Sequence, residues 1–471
     1  MRRARTSALL VPVLCAALFL LSAPARAQFT NTVDCIADDT ALQTLLGSNT
    51  YQGGSLDIKG TCLGDVTIAI TTSMTGDAME GGAVNGQIQV YGSGFICTNM
   101  VLNGTTGLNE AAVWVHEDAA AILQNCSITH ADADGIYVER QSSLFVFGGS
   151  IVNTGCGTGA APNNNGIEAS DGATVTLGES NSSDTGSTPN SSNAVTISGS
   201  CGDNLHVSGG SNLHAFDANI VNSSHNEVYV SDNSTARFLG GSIVGQKETA
   251  AWAMQAVRGS SLHLEQINEP PGTLNVANGG IFVSRNSTLE MNNTSLSQEN
   301  ASGAVIEASY DSSVVLAGCN DISAASGGTA IGIDHSSSLA QLFGSSCSGT
   351  ALAGDAITGA GLVQEQSSMD IGVGLVASSP SIIWTGNISA EQNSSFRLSG
   401  GVHITGAVLL EQGSNGFFNL ANGGANNVDS GVSCPFTTMP ASHVSAPQKV
   451  TPNVTVAASL ASAASPQCLP F

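Results

Sequence analysis

The chain has 471 residues, with 12 Lys and Arg against 36 Asp and Glu, a formal charge of −24. Such an acidic excess repels nucleic acid and anionic membrane surfaces, so neither is expected as a partner. Aromatic side chains are scarce at 5%, so each one placed on a surface carries weight.

Residues 1–27 read as a secretory signal. Arg2, Arg3 and Arg5 precede an apolar run from Leu9 to Leu21, and Ala25-Arg26-Ala27 offers a cleavage site before Gln28. Cleavage would remove four arginines and leave Lys59, Arg140, Arg237, Lys247, Arg258, Arg285, Arg397 and Lys449 against all 36 acids, a formal charge of −28. The mature chain is expected to be exported, to the periplasm or beyond. No later apolar run is long enough for a transmembrane segment.

Residues 28–59 are expected to form an N-terminal cap. Within it Asp38-Asp-Thr-Ala-Leu-Gln-Thr-Leu-Leu46 reads as a short amphipathic helix, with Leu42, Leu45 and Leu46 on one side.

From residue 60 to 424 one pattern recurs about every 27 residues. A polar doublet is followed by alternating apolar residues, as in Gln141-Ser-Ser-Leu-Phe-Val-Phe-Gly-Gly-Ser-Ile and Asn233-Ser-Thr-Ala-Arg-Phe-Leu-Gly-Gly-Ser-Ile. The first polar residue of each unit falls at Asp118, Gln141, Asp171, Gly210, Asn233, Gly259, Asn286, Asp311, Ser336, Gln366, Asn393 and Gly413. Three positions earlier stand Val115, Val138, Val207, Val230 and Val283, with Glu168 the one polar member; five earlier stand Val113, Ile136, Leu205, Val228 and Ile281. Two apolar columns one position apart are the signature of a strand with one buried face. A fixed period of this length means stacked units that bury their apolar faces against one another.

On this repeat grammar, from about Asp34 to Asn426, the chain resembles the right-handed parallel β-helix proteins of the pectate-lyase-like superfold. The resemblance implies an all-β solenoid whose first turn is closed by the N-terminal helix. It says little about chemistry. The polygalacturonase set of Asn-Thr-Asp, Asp-Asp, Gly-His-Gly and Arg-Ile-Lys is absent as a set, and the lone Asp38-Asp39 lies in the cap. A lyase of this group would use Arg or Lys as base, and Arg140 is the one basic residue near the start of the outward columns described below.

Cys35/Cys62, Cys97/Cys126 and Cys319/Cys347 are separated by 27, 29 and 28 residues, close to one turn of such a coil. Neighbouring turns lie about 4.8 Å apart, within the span of a disulfide. Cys156/Cys201 falls among the longest repeat intervals, and Cys434/Cys468 would close the tail. That tail, residues 425–471, is rich in Pro, Ala and Ser. Asn-x-Ser/Thr triplets at Asn103, Asn125, Asn233, Asn286 and Asn393 read first as turn chemistry and second as glycan acceptors.

Function belongs on the outward positions, since the inward ones are committed to core. Four before the repeat residue stand Trp114, Tyr137, His206, Tyr229 and Phe282, a stripe suited to stacking on sugar rings, with polar ring edges to orient the ligand. Beside it His116 and Glu139 could perform acid–base work on a glycosidic bond, with Asp132 and Asp134 entering from the corner. Turn chemistry is the preferred account of the Asp134-Gly135 corner. Glu391 and Glu411 fall on successive turns, where two carboxylates are unfavourable unless they share a proton or a cation such as calcium; solvated surface acids are the preferred reading in so acidic a chain, and no other cofactor is implied. The reading preferred from sequence is a non-catalytic β-helix that binds a polysaccharide or a cell-surface partner. The alternatives are a polysaccharide hydrolase or lyase at the same face, or a purely structural envelope protein.

Overall fold

The structure is a computed structural model that describes residues 30–104, 110–156, 164–178, 194–245, 252–265, 275–277, 279–298, 303–342, 355–373, 382–398, 402–418, 427–429, 432–433, 443–445 and 469–470. It is almost entirely β. One sheet of 15 strands and a second of 32 run the length of the chain, and every strand pairing within them is parallel. Away from the two ends each strand pairs with the third strand before and after it. Ile136–Val138 lies between Val113–His116 and Ile167–Ala169, and Ser143–Phe147 between Ala120–Gln124 and Thr174–Leu177. Stacked parallel sheets of this kind are consistent with a parallel β-helix.

Burial alternates along nearly every strand, as for Ile136–Val138 and Ser143–Phe147. Val115, Val138, Val207, Val230 and Val283 are all closed to solvent and join one continuous apolar cluster from Val33 to Val432. The same cluster takes Leu42 from the six-residue helix Ala41–Leu46, with Leu45 and Leu46 packed against it. Strand Thr30–Asp34 pairs with Gly54–Leu63, and the short strand His443–Ser445 pairs with Asn415–Phe418. Backbone pairing therefore extends into the tail, where the apolar alternation does not, because a ladder needs only N–H and C=O groups.

The recurring polar doublet has a backbone cause. At each of twelve corners two consecutive residues take the left-handed conformation, for example Arg140 and Gln141 at φ 54° and 62°, and Asp232 and Asn233 at 57° and 62°. Asn, Asp and Gly dominate the second position of the pair because they enter this region most easily. The serine that follows points inward. The N–H of Ser234 donates to Ser260 Oγ at 3.3 Å, that of Ser260 to Ser287 Oγ at 3.1 Å, and that of Ser287 to Ser312 Oγ at 3.3 Å, so a hydroxyl ladder runs up the corner.

This geometry corrects one repeat. Asp171 and Gly172 form the left-handed pair, so Gly172 takes the place expected of Asp171. The register moves by one residue: Ala169 is inward beside Val138, and Glu168 is outward beside Tyr137. A one-residue slip exchanges the two faces of a strand.

Three disulfides join Cys35 to Cys62, Cys97 to Cys126 and Cys156 to Cys201, with Cα–Cα distances of 5.0, 6.7 and 5.2 Å. They fit an oxidising environment. Cys97 is not in register with its partner: it lies between Met74 and Leu123 on the ladder, and Cys126 sits on the corner beyond. Cys319 is also disulfide-bonded. Cys347, Cys434 and Cys468 lie outside the described residues. No helix among the described residues is long and apolar enough to cross a membrane.

Candidate functional site

The outward column of the 15-stranded sheet runs Gln89, Trp114, Tyr137, Glu168, His206, Tyr229, Gln255, Phe282, Glu307 in direct register. From Trp114 onward each of these is half-buried, between inward neighbours that are closed to solvent. Parallel pairing places successive side chains about 4.8 Å apart along the coil.

Trp114 and Tyr137 stack with ring centroids 6.4 Å apart and planes 20° from parallel. Glu139 fixes both. Its carboxylate, on a residue only 6% exposed, accepts the Trp114 indole N–H at 3.2 Å and the Tyr137 hydroxyl at 3.1 Å. Arg140 Nε lies 3.8 Å from the same carboxylate, and the Arg140 guanidinium also bonds to Glu117. The polar ring edges expected to orient a ligand are thus engaged within the protein, and the faces that Trp114 and Tyr137 turn to each other are stacked. Burial, then the nearby carboxylates, push the Tyr137 phenol up to about 12, so it remains a donor.

His116 lies beneath this platform. Its ring stacks on Trp114 at 4.2 Å and meets the Tyr91 edge at 5.0 Å. Nε2 is 2.9 Å from Gln89 Nε2, and Nδ1 is buried without a hydrogen-bond partner. Since an amide nitrogen can only donate, Nε2 accepts and the proton sits on Nδ1. Burial holds this imidazole below its usual range.

The next group was invisible in the sequence. Asp134, at the corner, and Glu168, on the strand, lie close enough for their carboxyls to act on each other, and both accept from Asn165. Burial first, and Glu168 second, push the Asp134 carboxyl up to about 7. Asp134 Oδ1 also accepts the Asn165 N–H at 2.6 Å, Asn165 Oδ1 accepts that of Asp203 at 3.0 Å, and Asp203 Oδ1 that of Asn226 at 2.9 Å. This Asx ladder is the turn role anticipated for Asp134, and the neighbouring Glu168 carboxyl is additional to it. His206 binds Asp203 through Nδ1 at 3.2 Å and tilts against Tyr229 at 4.9 Å. Burial pulls its pKa down, but Asp203, Glu168 and Asp134 together raise it above the ordinary value. Asp132 is buried, with its carbonyl accepting the Asn164 amide at 2.8 Å.

Phe282 stacks on Trp252, centroids 5.4 Å apart, so one of its faces is covered. At the far end of the coil Glu391 accepts the Ser389 hydroxyl at 3.1 Å, while burial and Glu391 push Glu411 up. No set of three or more His, Cys, Asp or Glu side chains among the described residues is gathered to hold a metal. Sequence reasoning also missed Glu227, 1% exposed and pushed up to about 7 by burial, which accepts from Asn204 Nδ2 at 2.5 Å inside the same corner. Its pattern position looked like an ordinary turn residue, so no sequence signal would have found it. No protein-family model matches the chain, and no curated protein is similar to it in sequence.

Proposed function

We propose that this chain is an exported, right-handed parallel β-helix of the pectate-lyase-like kind, closed at its first turn by the Ala41–Leu46 helix, whose outward face binds glycans. The observation that carries this reading is the Trp114–Tyr137 pair, near-parallel rings held in one orientation by Glu139. A platform fixed before binding loses little side-chain entropy when a sugar stacks on it. The disulfides support export, as does the N-terminal sequence.

A second reading, a polysaccharide hydrolase at the same face, is favoured by one specific feature. Burial and Glu168 push the Asp134 carboxyl up to about 7, the range a general acid needs, at the corner before the strand Ile136–Val138 that carries Tyr137 and leads into Glu139. A polysaccharide panel incubated with the mature protein, read for binding and for reducing-end release together, tests both. Binding without release supports the first reading and release supports the second. Neither signal would leave a purely structural role.

A further inference from the structure

Beneath the platform a short relay crosses three turns of the outward face. Thr67, Gln89 and Trp114 are register neighbours, and His116 stands two residues beyond Trp114 on the same strand. The Thr67 hydroxyl donates to Gln89 Oε1 at 3.4 Å, and the Gln89 amide nitrogen lies 2.9 Å from His116 Nε2. His116 is 5% exposed, and its Nδ1 is shut from solvent with no hydrogen-bond partner.

A proton sets the direction of this relay. With the imidazole neutral, Gln89 donates to Nε2, and the ring's own proton sits on Nδ1, where it bonds to nothing. A second proton, on Nε2, would face the amide N–H groups, donor against donor. Turning the Gln89 amide over removes the clash: Oε1 then accepts from Nε2, and the amide nitrogen donates to Thr67, whose hydroxyl serves in either role. Both contacts survive with their directions reversed. The charged groups that face the ring are Glu139 from the next turn, Glu117 beside it, and Arg140, which lies 3.8 Å from the Glu139 carboxylate and bonds to Glu117. Burial and Arg140 oppose an imidazolium, while Glu139 and Glu117 favour it. Tyr91 supplies only a ring edge, at 5.0 Å, but the Trp114 indole, stacked on the imidazole at 4.2 Å with planes 15° apart, offers a face that attracts a cation.

We propose that Gln89 and His116 form a proton switch under the Trp114–Tyr137 platform, in which the amide turns over as the imidazole gains its second proton. The switch does not depend on what the platform binds. Its output is Glu139, whose carboxylate accepts the Trp114 indole N–H at 3.2 Å and the Tyr137 hydroxyl at 3.1 Å. A cation arising beside that carboxylate draws on the same oxygens, so the two rings are held less firmly in acid than at neutral pH.

NMR of the full mature chain, labelled at histidine and tryptophan nitrogens, tests this. The His116 signals are those lost in His116→Gln, and the Trp114 indole signal is the one lost in Trp114→Phe. At neutral pH the imidazole should carry its proton on Nδ1, and it should titrate below the ordinary histidine value of about 6.5. The Trp114 indole N–H signal should move with the same midpoint and stay still over that range in His116→Gln. Gln89→Glu, which offers Nε2 an acceptor with no turning needed, should raise the midpoint by about one pH unit or more. A ring protonated on Nε2 at neutral pH, a ring that stays neutral down to acid unfolding, or a midpoint unmoved by Gln89→Glu overturns the switch. An indole signal indifferent to the His116 titration overturns it as well, because the output through Glu139 is then missing.

Discussion

Tyr137 and Glu168 are register neighbours on adjacent outward strands, and the position of Glu168 there brings a second carboxyl to the buried acid Asp134. The folded chain therefore holds a proton that the unfolded chain releases near pH 3.8, and gives it up only near about 7. Stability from this group is fully present below the lower value and is lost as pH rises through the upper one. Glu227, raised to about 7, and Asp355, raised to about 6, act in the same direction. Asp134→Asn keeps the acceptor for the Asn165 N–H without needing a proton. Thermal melts across this interval should show the wild-type melting temperature falling more steeply with pH than that of the variant. Parallel curves would mean that Asp134 is ionised throughout.

The platform separates ring faces from ring edges, and the two can be removed independently. Tyr137→Phe deletes the hydroxyl that Glu139 accepts and keeps the stacking face; Tyr137→Ala deletes both. Glycan affinity should survive the first change and drop about tenfold with the second. Trp114→Ala should also lower stability by about 1–3 kcal/mol, because the nearly buried Glu139 loses a donor. Sequence alone treats these rings as free and expects no such loss. Calorimetry and denaturant titration of the three variants decide between platform and packing.

What was legible in the sequence was whatever repeats. The valine columns, the outward aromatic stripe and the one-turn cysteine spacing all follow from a period that the chain states many times. What was not legible depends on a single corner. The unit at Asp171-Gly172 offers two plausible turn residues, and choosing the first turns Glu168 inward as an unexplained polar core residue. The backbone decides it, since the left-handed pair must occupy the same two steps at every corner. Likewise, nothing in the order of letters brings Asp134 to Glu168 or the Glu139 carboxylate to two ring edges. Asp134 and Glu168, and Trp114 and Glu139, are 25 or more residues apart and meet through stacking, while Tyr137 meets Glu139 two residues along the chain.

The paired left-handed residues predict opposite effects for two glycine exchanges. Gln366 sits at φ 64°, where a Cβ is crowded, so Gln366→Gly should stabilise by up to about 1 kcal/mol. Gly259 at φ 78° leaves no such room: a Cβ would come within 2.6 Å of Asn233 Oδ1. Gly259→Val should lower the melting temperature, and a neutral result at both sites would show that these corners are not strained.

Cys319 offers a check on the coil by covalent chemistry. It is disulfide-bonded, and a partner one turn away in sequence is Cys347. Peptide mapping of exported protein without reduction should recover the two in one linked fragment. Cys319 linked to Cys434 or Cys468 instead would place the tail against the middle of the coil.

The serine ladder distinguishes hydroxyls by what their donors have left without them. Ser211 N–H donates to Ser234 Oγ at 3.1 Å and also to the Ser208 carbonyl at 3.2 Å, so Ser234→Ala leaves it one partner. Ser260 N–H donates to Ser287 Oγ at 3.1 Å and has no second acceptor of this kind, while both serines are closed to solvent. An unpaired buried N–H costs about 1–3 kcal/mol, whereas a shared one loses less. Ser287→Ala should therefore destabilise more than Ser234→Ala, although the two substitutions are chemically identical and equally buried. Denaturant titration of the pair reads the difference directly. Equal losses would mean that the ladder hydroxyls act only by filling space, and that the Ser after each left-handed pair is there for its size.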